Sequence, residues 1–307
     1  MSITDWNGHQ GPCLDSVNGF DIIDCEQCGF AHITPLPTSD ALDEVYRNEY
    51  YTSEKPLYIE RYREDLEWWN CVYNERFDTF ESYLDVSRRR IVDVGSGPGF
   101  FLLNGHDRHW QTIGIEPSAQ AAAHSRSLGL EIVEEFLDDQ LAEHLGLFDV
   151  VHMSDVLEHI PDPADMIHRA RRMLAPGGLI CIVVPNDYNP FQQALRTSCG
   201  YKPWWLAPPH HINYFNPDSI KKLLTRCGFE ILLQEGTFPI DMFLLMGDNY
   251  VGNDEVGRSC HKKRMALELN LAAAGLTETK RTLYRAFADN NLGREIMVVG
   301  RKCESPH

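Results

Sequence analysis

Residues 91–100 read IVDVGSGPGF: an apolar run carrying an acid at Asp93, then glycines at Gly95, Gly97 and Gly99. Residues 91–94 have the length and β-branched content of a buried strand. The glycines let the chain turn sharply and bring its backbone against a ligand that a Cβ would obstruct. FFLLNG, from Phe100 onward, resumes as a helix. Strand, glycine turn and helix N-terminus together make a nucleotide-type site.

Working toward the C-terminus, the pattern is βαβ. QTIGI at 111–115 reads as a second strand and ends at Glu116. This acid follows Asp93 by the spacing at which α/β nucleotide folds set a carboxylate against ribose hydroxyls. Pro117 and Ser118 open a helix, residues 131–133 form a third strand, and the turn at 134–138 is placed to meet an adenine. FDVVHM at 148–153 is a fourth buried strand. Asp162 as N-cap with Pro163 at the first helical position starts a helix with Met166, Ile167, Ala170, Met173 and Leu174 on one face. LICIVV at 179–184 is the fifth strand. Such sheets bind ligands outside the carboxyl ends of their strands, so Asp93, Gly95, Glu116, Ser154, Asp155, Asn186 and Asp187 are expected to line one crevice. Residues 229–235 and 295–301 supply sixth and seventh strands. Between them lies a helical insert, about 238–294, with helices expected around 262–274 and 278–289.

The segment 188–215 is unpatterned and aromatic, with Tyr188, Trp204, Trp205 and PPHHINYF. A long irregular loop beside a ligand edge is more often functional than not. Trp204 and Trp205 suit stacking on an acceptor ring or plain packing. Upstream, Ile59, Tyr62, Leu66, Trp69, Tyr73, Phe77, Phe80 and Leu84 recur at steps of three or four, which reads as one long helix whose aromatic stripe belongs to the core. Ahead of it, Tyr46, Tyr50 and Tyr51 are candidates for a lid or for packing.

His9, Cys13, Cys25 and Cys28 sit near the N-terminus, the second pair written CEQCG. C-x-x-C followed by glycine is a metal knuckle, whose turn aims two sulfurs at one point. Tetrahedral Zn(II) on these four residues fits; the alternative is a loose β-ribbon with three free thiols. The other six of the nine cysteines are scattered through apolar patterns, as reduced structural thiols are. A formal charge of −17 makes nucleic acid an unfavourable partner, because phosphates would be repelled by most of the surface. No apolar run is long enough to span a bilayer, and the first residues have no basic, apolar leader pattern. The expectation is a cytoplasmic protein with no membrane partner.

D-x-G-x-G-x-G at 93–99, Glu116, FDVVHMSDVLEHI at 148–160, MLAPGG before the fifth strand and CGFEI before the sixth together resemble a class I S-adenosylmethionine-dependent methyltransferase. The fit to a dinucleotide fingerprint is poorer: the third glycine falls one residue early and an acid sits inside the first strand. The resemblance implies an α/β, Rossmann-like seven-stranded sheet. It extends to a subgroup with a cysteine-bearing N-terminal module, met in sugar and polysaccharide biosynthesis, whose members usually carry two C-x-x-C pairs where this chain has one. The division expected is a cysteine-bearing module at 1–45, the candidate zinc module, and a methyltransferase domain at 46–307.

Carried over by residue, the resemblance implies that Gly95, Ser96 and Gly97 approach the methionine part of S-adenosylmethionine, with Gly99 completing the turn. Asp93 would orient the amino group, Glu116 and Pro117 would adjoin the ribose, and Glu135 and Phe136 the adenine. Ser154, Asp155 and His159 would border the methyl donor. The expected reaction is O-methylation of a sugar, nucleotide-sugar or similar polar small molecule. A histidine base suits proton removal near neutral pH: His159, His210 or His211, with Tyr214 secondary and Asp187, Trp204 and Trp205 toward the substrate. C- or N-methylation of another small molecule, and a noncatalytic cofactor-binding module, are the alternatives.

Overall fold

The computed structural model describes residues 3–37 and 57–304, with residues 3–6 as backbone only. Tyr46, Tyr50, Tyr51 and the expected boundary after residue 45 lie outside the described residues. Two sheets organise the rest. The first five strands of the larger one follow the expected order of elements: β5 (Arg90–Val94), α3 (Phe100–Asp107), β6 (Gln111–Ile115), α4 (Ala119–Ser127), β7 (Glu131–Val133), α5 (Asp139–Leu145), β8 (Phe148–Ser154), α6 (Pro163–Met173) and β9 (Leu174–Pro185). After them come β11 (Phe229–Gly236) and β12 (Glu295–Lys302), giving the order β11-β12-β9-β8-β5-β6-β7. β12 is antiparallel to both its neighbours, while β5 pairs in parallel with β6 on one side and β8 on the other. The order of the sheet therefore reverses at β5, the switch point where α/β folds place their ligand crevice.

The helix signals hold where a cap is written in the sequence. Asp162 accepts from the Asp165 amide, and α6 buries Met166, Ile167, Ala170 and Met173. Asn216 closes a capping box with Ser219 at the start of α8 (Pro217–Arg226). Three segments differ from expectation. The aromatic helix is broken into α1 (Tyr58–Glu64) and α2 (Leu66–Tyr83); the residue between them, Asp65, is turned inward onto a bidentate Arg258 and His261. Residues 188–215 are not wholly irregular: Asn189, boxed with Gln192, caps α7 (Pro190–Cys199). In the insert, α9 (Asp241–Leu245) precedes two longer helices, α10 (Asp254–Ala273) and α11 (Thr277–Asp289), and α10 begins earlier than expected because Asn253 caps it.

The smaller sheet is antiparallel, β1 (Ile3–Trp6), β2 (His9–Val17), β3 (Phe20–Asp24) and β4 (Ala31–Thr34), and its fifth strand is β10 (Asn213–Tyr214). The N-terminal module is thus completed by chain from far downstream. Phe30, just past the cysteine knuckle, joins the main core and meets Phe215 at 5.0 Å between ring centroids. Among the described residues no helix is long and apolar enough to cross a membrane.

Gly236 ends β11 against the turn that feeds β12. A Cβ there would stand 2.2 Å from the Leu292 carbonyl oxygen, a backbone atom with nowhere cheap to go. Gly236→Ala is expected to lower stability by about 2 kcal/mol, seen as a melting temperature reduced by roughly 4–8 °C in calorimetry; an unchanged melting temperature would refute this packing.

Candidate cofactor site and metal cluster

A cavity of about 270 Å³ opens at the carboxyl ends of β5, β6 and β8. Asp93, Gly95, Ser96, Gly97, Glu116, Pro117, Glu135, Phe136, Ser154, Asp155 and His159 all line it. The turn works as its glycines suggest: Gly95 and Gly97 have φ of +73° and +54°, and a Cβ on Gly95 would stand 2.7 Å from Val156. Gly99, expected at the ligand, does not line the cavity. It is the left-handed N-cap of α3, where a Cβ would meet Ser125 and Leu130, so its work is helix packing.

The register of β5 and β8 sets Asp93 directly beside His152. His152 Nδ1 lies 2.7 Å from Asp93 Oδ1 and its Nε2 lies 3.1 Å from Arg76 Nη1. Arg76 can only donate, so Nε2 accepts and Nδ1–H donates to the carboxylate. Burial pushes the His152 pKa down, with Asp93 opposing, which keeps the ring neutral in this role. Phe101 stacks on it at 4.0 Å. Glu116 splits its two oxygens: Oε2 accepts from the Gly97 amide at 2.7 Å and Oε1 from the Ser118 amide at 2.8 Å. One carboxylate therefore ties the end of β6 to the glycine turn. Burial pushes its pKa up to about 7 against the pull of those two amides.

The wall opposite the turn comes from α1 and α2. Tyr58, Tyr62, Trp69, Tyr73 and Arg76 line the cavity, with Tyr62 stacked flat on Trp69 at 4.5 Å and 4°. The stripe expected to be core is therefore split: Phe77 and Phe80 are fully buried, Ile59 and Leu66 pack against the core, and Tyr62, Trp69 and Tyr73 line the cavity. Sequence reasoning missed these residues and His152, although a histidine inside FDVVHM was a readable signal.

The acceptor-side expectations fare less evenly. His159 lines the cavity, and its Nδ1 lies 2.8 Å from the His210 carbonyl oxygen. His211 stands behind it, with ring centroids 4.9 Å apart. His210, His211, Tyr214, Asp187, Trp204 and Trp205 are not among the residues lining the cavity. Tyr214 belongs to the small core of the N-terminal module with Ile22 and Ile33, and burial holds its phenol well above the usual range. Trp205 is buried, packed between Tyr188 and Trp204. Asp187 is buried too, and burial raises its pKa to about 7.

The N-terminal cluster is corrected in one ligand. His9, Cys25, Cys28 and His32 bring a ligand atom each within 4.8 Å of one another. Cys13 is not among them: its Sγ turns to the Asp15 carbonyl at 3.4 Å. Both His9 and Cys13 lie on β2, and four residues of strand separate them by about 13 Å, too far to share an ion. His32, from β4, takes the fourth place.

A mixed seven-stranded sheet whose order reverses at β5, a glycine turn tied to a carboxylate, and a second acid beside it go with a class I S-adenosylmethionine-dependent methyltransferase domain. A sequence profile described as a methyltransferase domain matches residues 62–234, more than half of the chain, and the chain belongs to that family. Ubiquinone biosynthesis O-methyltransferases of Salmonella typhimurium and Salmonella typhi are each 33% identical over 97 residues, 29% of this chain and 40% of theirs. The chain thus spans well under half the length of these curated relatives. Solved structures of S-adenosylmethionine-dependent methyltransferases from Archaeoglobus fulgidus (16% identity, 76% of this chain and 94% of that one, TM-score 0.47) and Mesorhizobium loti (20%, 73% and 96%, 0.45) are also similar. The cavity fits the cofactor of this class on its own terms: Ser96 Oγ, in its wall, is buried with no hydrogen-bond partner in the protein.

An ionised Glu116 carries lone pairs for hydroxyl donors beyond its two amide bonds; once protonated it has one acceptor fewer. With its pKa near 7, only about a tenth is ionised at pH 6, so the Kd for S-adenosylhomocysteine should be roughly tenfold weaker at pH 6 than at pH 8. Glu116→Gln should bind weakly at both pH values and lose most of that slope in calorimetry; an equal slope in wild type and variant would refute the assignment.

Proposed function

We propose that this chain methylates a hydroxyl oxygen of a polar small molecule, of the sugar or nucleotide-sugar class, with His159 taking the hydroxyl proton. What carries the reading is His159 in the cavity wall with its Nδ1–H directed at the His210 carbonyl. That bond holds the neutral ring in one tautomer and puts the lone pair on Nε2, the atom that would receive the proton. S-adenosylmethionine, when bound, supplies an activated methyl carbon on a sulfonium. The chain's residues do the rest: Asp93, Glu116 and the amides of the glycine turn hold the donor, and the aromatic wall excludes water. With the methyl carbon so supplied, the hydroxyl proton would pass to His159 Nε2.

Glu158 stands beside this ring. It is 1% exposed with Oε2 unpartnered, and burial raises its pKa well above the usual carboxylate range. Its Oε1 lies 3.8 Å from His159 Nε2. A phenolic hydroxyl is the second reading, favoured by the relatives named ubiquinone biosynthesis O-methyltransferases and by the rings of Tyr62 and Trp69.

The test is turnover on a panel of sugars, nucleotide sugars, catechol-type phenols and amines, with the methylated atom located by NMR. His159→Gln should lower kcat by about 10²–10⁴ on the preferred hydroxyl acceptor and remove from the pH–rate profile the acidic limb, where the rate falls as the base is protonated. Methylation at carbon or nitrogen, or a His159→Gln enzyme of near-normal kcat, would overturn the reading.

A further inference from the structure

We infer that His9, Cys25, Cys28 and His32 form a Cys₂His₂ zinc site that clamps β4 onto β10 and so fixes the wall that positions His159. The atoms already have the spacing of a ligand shell. His9 Nδ1 lies 3.1 Å from His32 Nε2, 3.6 Å from Cys25 Sγ and 3.3 Å from Cys28 Sγ. Zinc at about 2.0–2.1 Å from nitrogen and about 2.3 Å from sulfur gives tetrahedron edges of roughly 3.3 Å between nitrogens and roughly 3.6 Å from nitrogen to sulfur.

The surroundings are those of a ligand shell as well. The Cys28 amide points at Cys25 Sγ at 3.5 Å, the knuckle's own bond to a thiolate. His32 is 2% exposed, and its Nδ1 donates to the Ile33 carbonyl at 2.9 Å. That bond fixes the tautomer and presents Nε2 to the cluster, as the outer hydrogen bond of a metal-bound histidine does. The remaining cysteines do not compete, since Cys13 turns away.

From His32 the connection to the active-site motif is short. His32 pairs with Asn213 of β10, and the Ile33 amide donates to the Ile212 carbonyl at 2.9 Å. The Ile212 amide in turn donates to the Glu158 carbonyl at 2.7 Å. Asn213 Nδ2 donates to the carbonyls of Leu157 at 2.9 Å and Ile160 at 2.7 Å. His159 is bracketed by these bonds and by its own bond to His210. A metal that holds β4 rigid therefore holds the backbone on both sides of His159, while Glu116 and the glycine turn, on other strands, do not depend on it.

The metal site stands independently of the acceptor; its effect on catalysis rests on the reading of His159, and the experiment separates the two. The full chain expressed with zinc should carry about one zinc per chain by mass spectrometry, and cobalt exchanged for it should give the visible bands of a tetrahedral two-thiolate site. His32→Ala and Cys28→Ser should lose the metal and Cys13→Ser should keep it. Zinc absent from wild type, or retained in full by His32→Ala, overturns the site. Stripping wild type with a chelator and following hydrogen–deuterium exchange avoids any variant that misfolds: exchange at 157–160 and 210–214 should rise at least about threefold, with S-adenosylhomocysteine affinity changed less than about twofold. Unchanged exchange there overturns the clamp. With the clamp sound, stripped enzyme should fall in kcat on whichever acceptor is used, and an unchanged kcat would count against His159 rather than against the metal.

Discussion

The site depends on the register of two parallel strands. Asp93 and His152 are partners across β5 and β8, at the point where strand order reverses, so their side chains leave the same face of the sheet side by side. A shift of one residue would send either to the opposite face. Held in register, His152 passes a hydrogen bond from Arg76 on α2 to Asp93 at the cavity, and the aromatic wall is thereby tied to the glycine turn. Each member is buried, so losing any one would leave a polar group without its partner, a penalty of about 1–3 kcal/mol or more for a charge.

A second constraint joins the two sheets. β10 is too short to be stable by itself, and it is a strand because β4 pairs with it on one side and the carbonyls of residues 157–160 on the other hold Asn213. Arg196 makes a bidentate bond to Asp15, with both contacts under 3 Å, and Arg226 donates to the Cys28 carbonyl. The N-terminal module is therefore no loose appendage: its strands are structurally part of the loop that carries His210 and His211. Within the segment 188–215, β10 gave no local signal because its partners are remote in sequence.

What could be read in the chain was what local physics writes. IVDVGSGPGF, QTIGI and FDVVHM carry period and length enough to name strands, and the caps at Asp162 and Asn216 are single-residue signals with a definite mechanism. Asn189-Pro190 with Gln192 was an equally plain capping box, hidden by the aromatic run around it. Two things were not legible. A period of 3.6 marks one face of a helix but not what covers it, so Tyr62 and Trp69 gave the same signal as Phe77. Likewise, although His32 follows Cys28 at a C-x3-H spacing, its nearness to His9 was not readable, because it depends on β2, β3 and β4 lying side by side. Cys13 was chosen by proximity along a strand, where proximity in sequence becomes distance in space.

The charge of the cavity follows from burial as much as from sequence. Among the described residues lining the cavity, Asp93, Glu116, Glu135 and Asp155 are matched by one basic side chain other than histidine, Arg76, an excess suited to a donor bearing a sulfonium and an ammonium. At a separation of 4 Å and an effective dielectric of about 20, one full charge pair contributes about 4 kcal/mol. Had all four acids kept their charge, the sulfonium would be held too well, because its charge disappears as the methyl leaves and only interactions that survive to the transition state accelerate the reaction. Burial blunts that excess: Glu116 is left near the midpoint of its titration, and Asp93 shares its charge with His152 and Arg76. The cavity thus attracts a cation without being fully committed to it, which is the balance a methyl-transfer site requires.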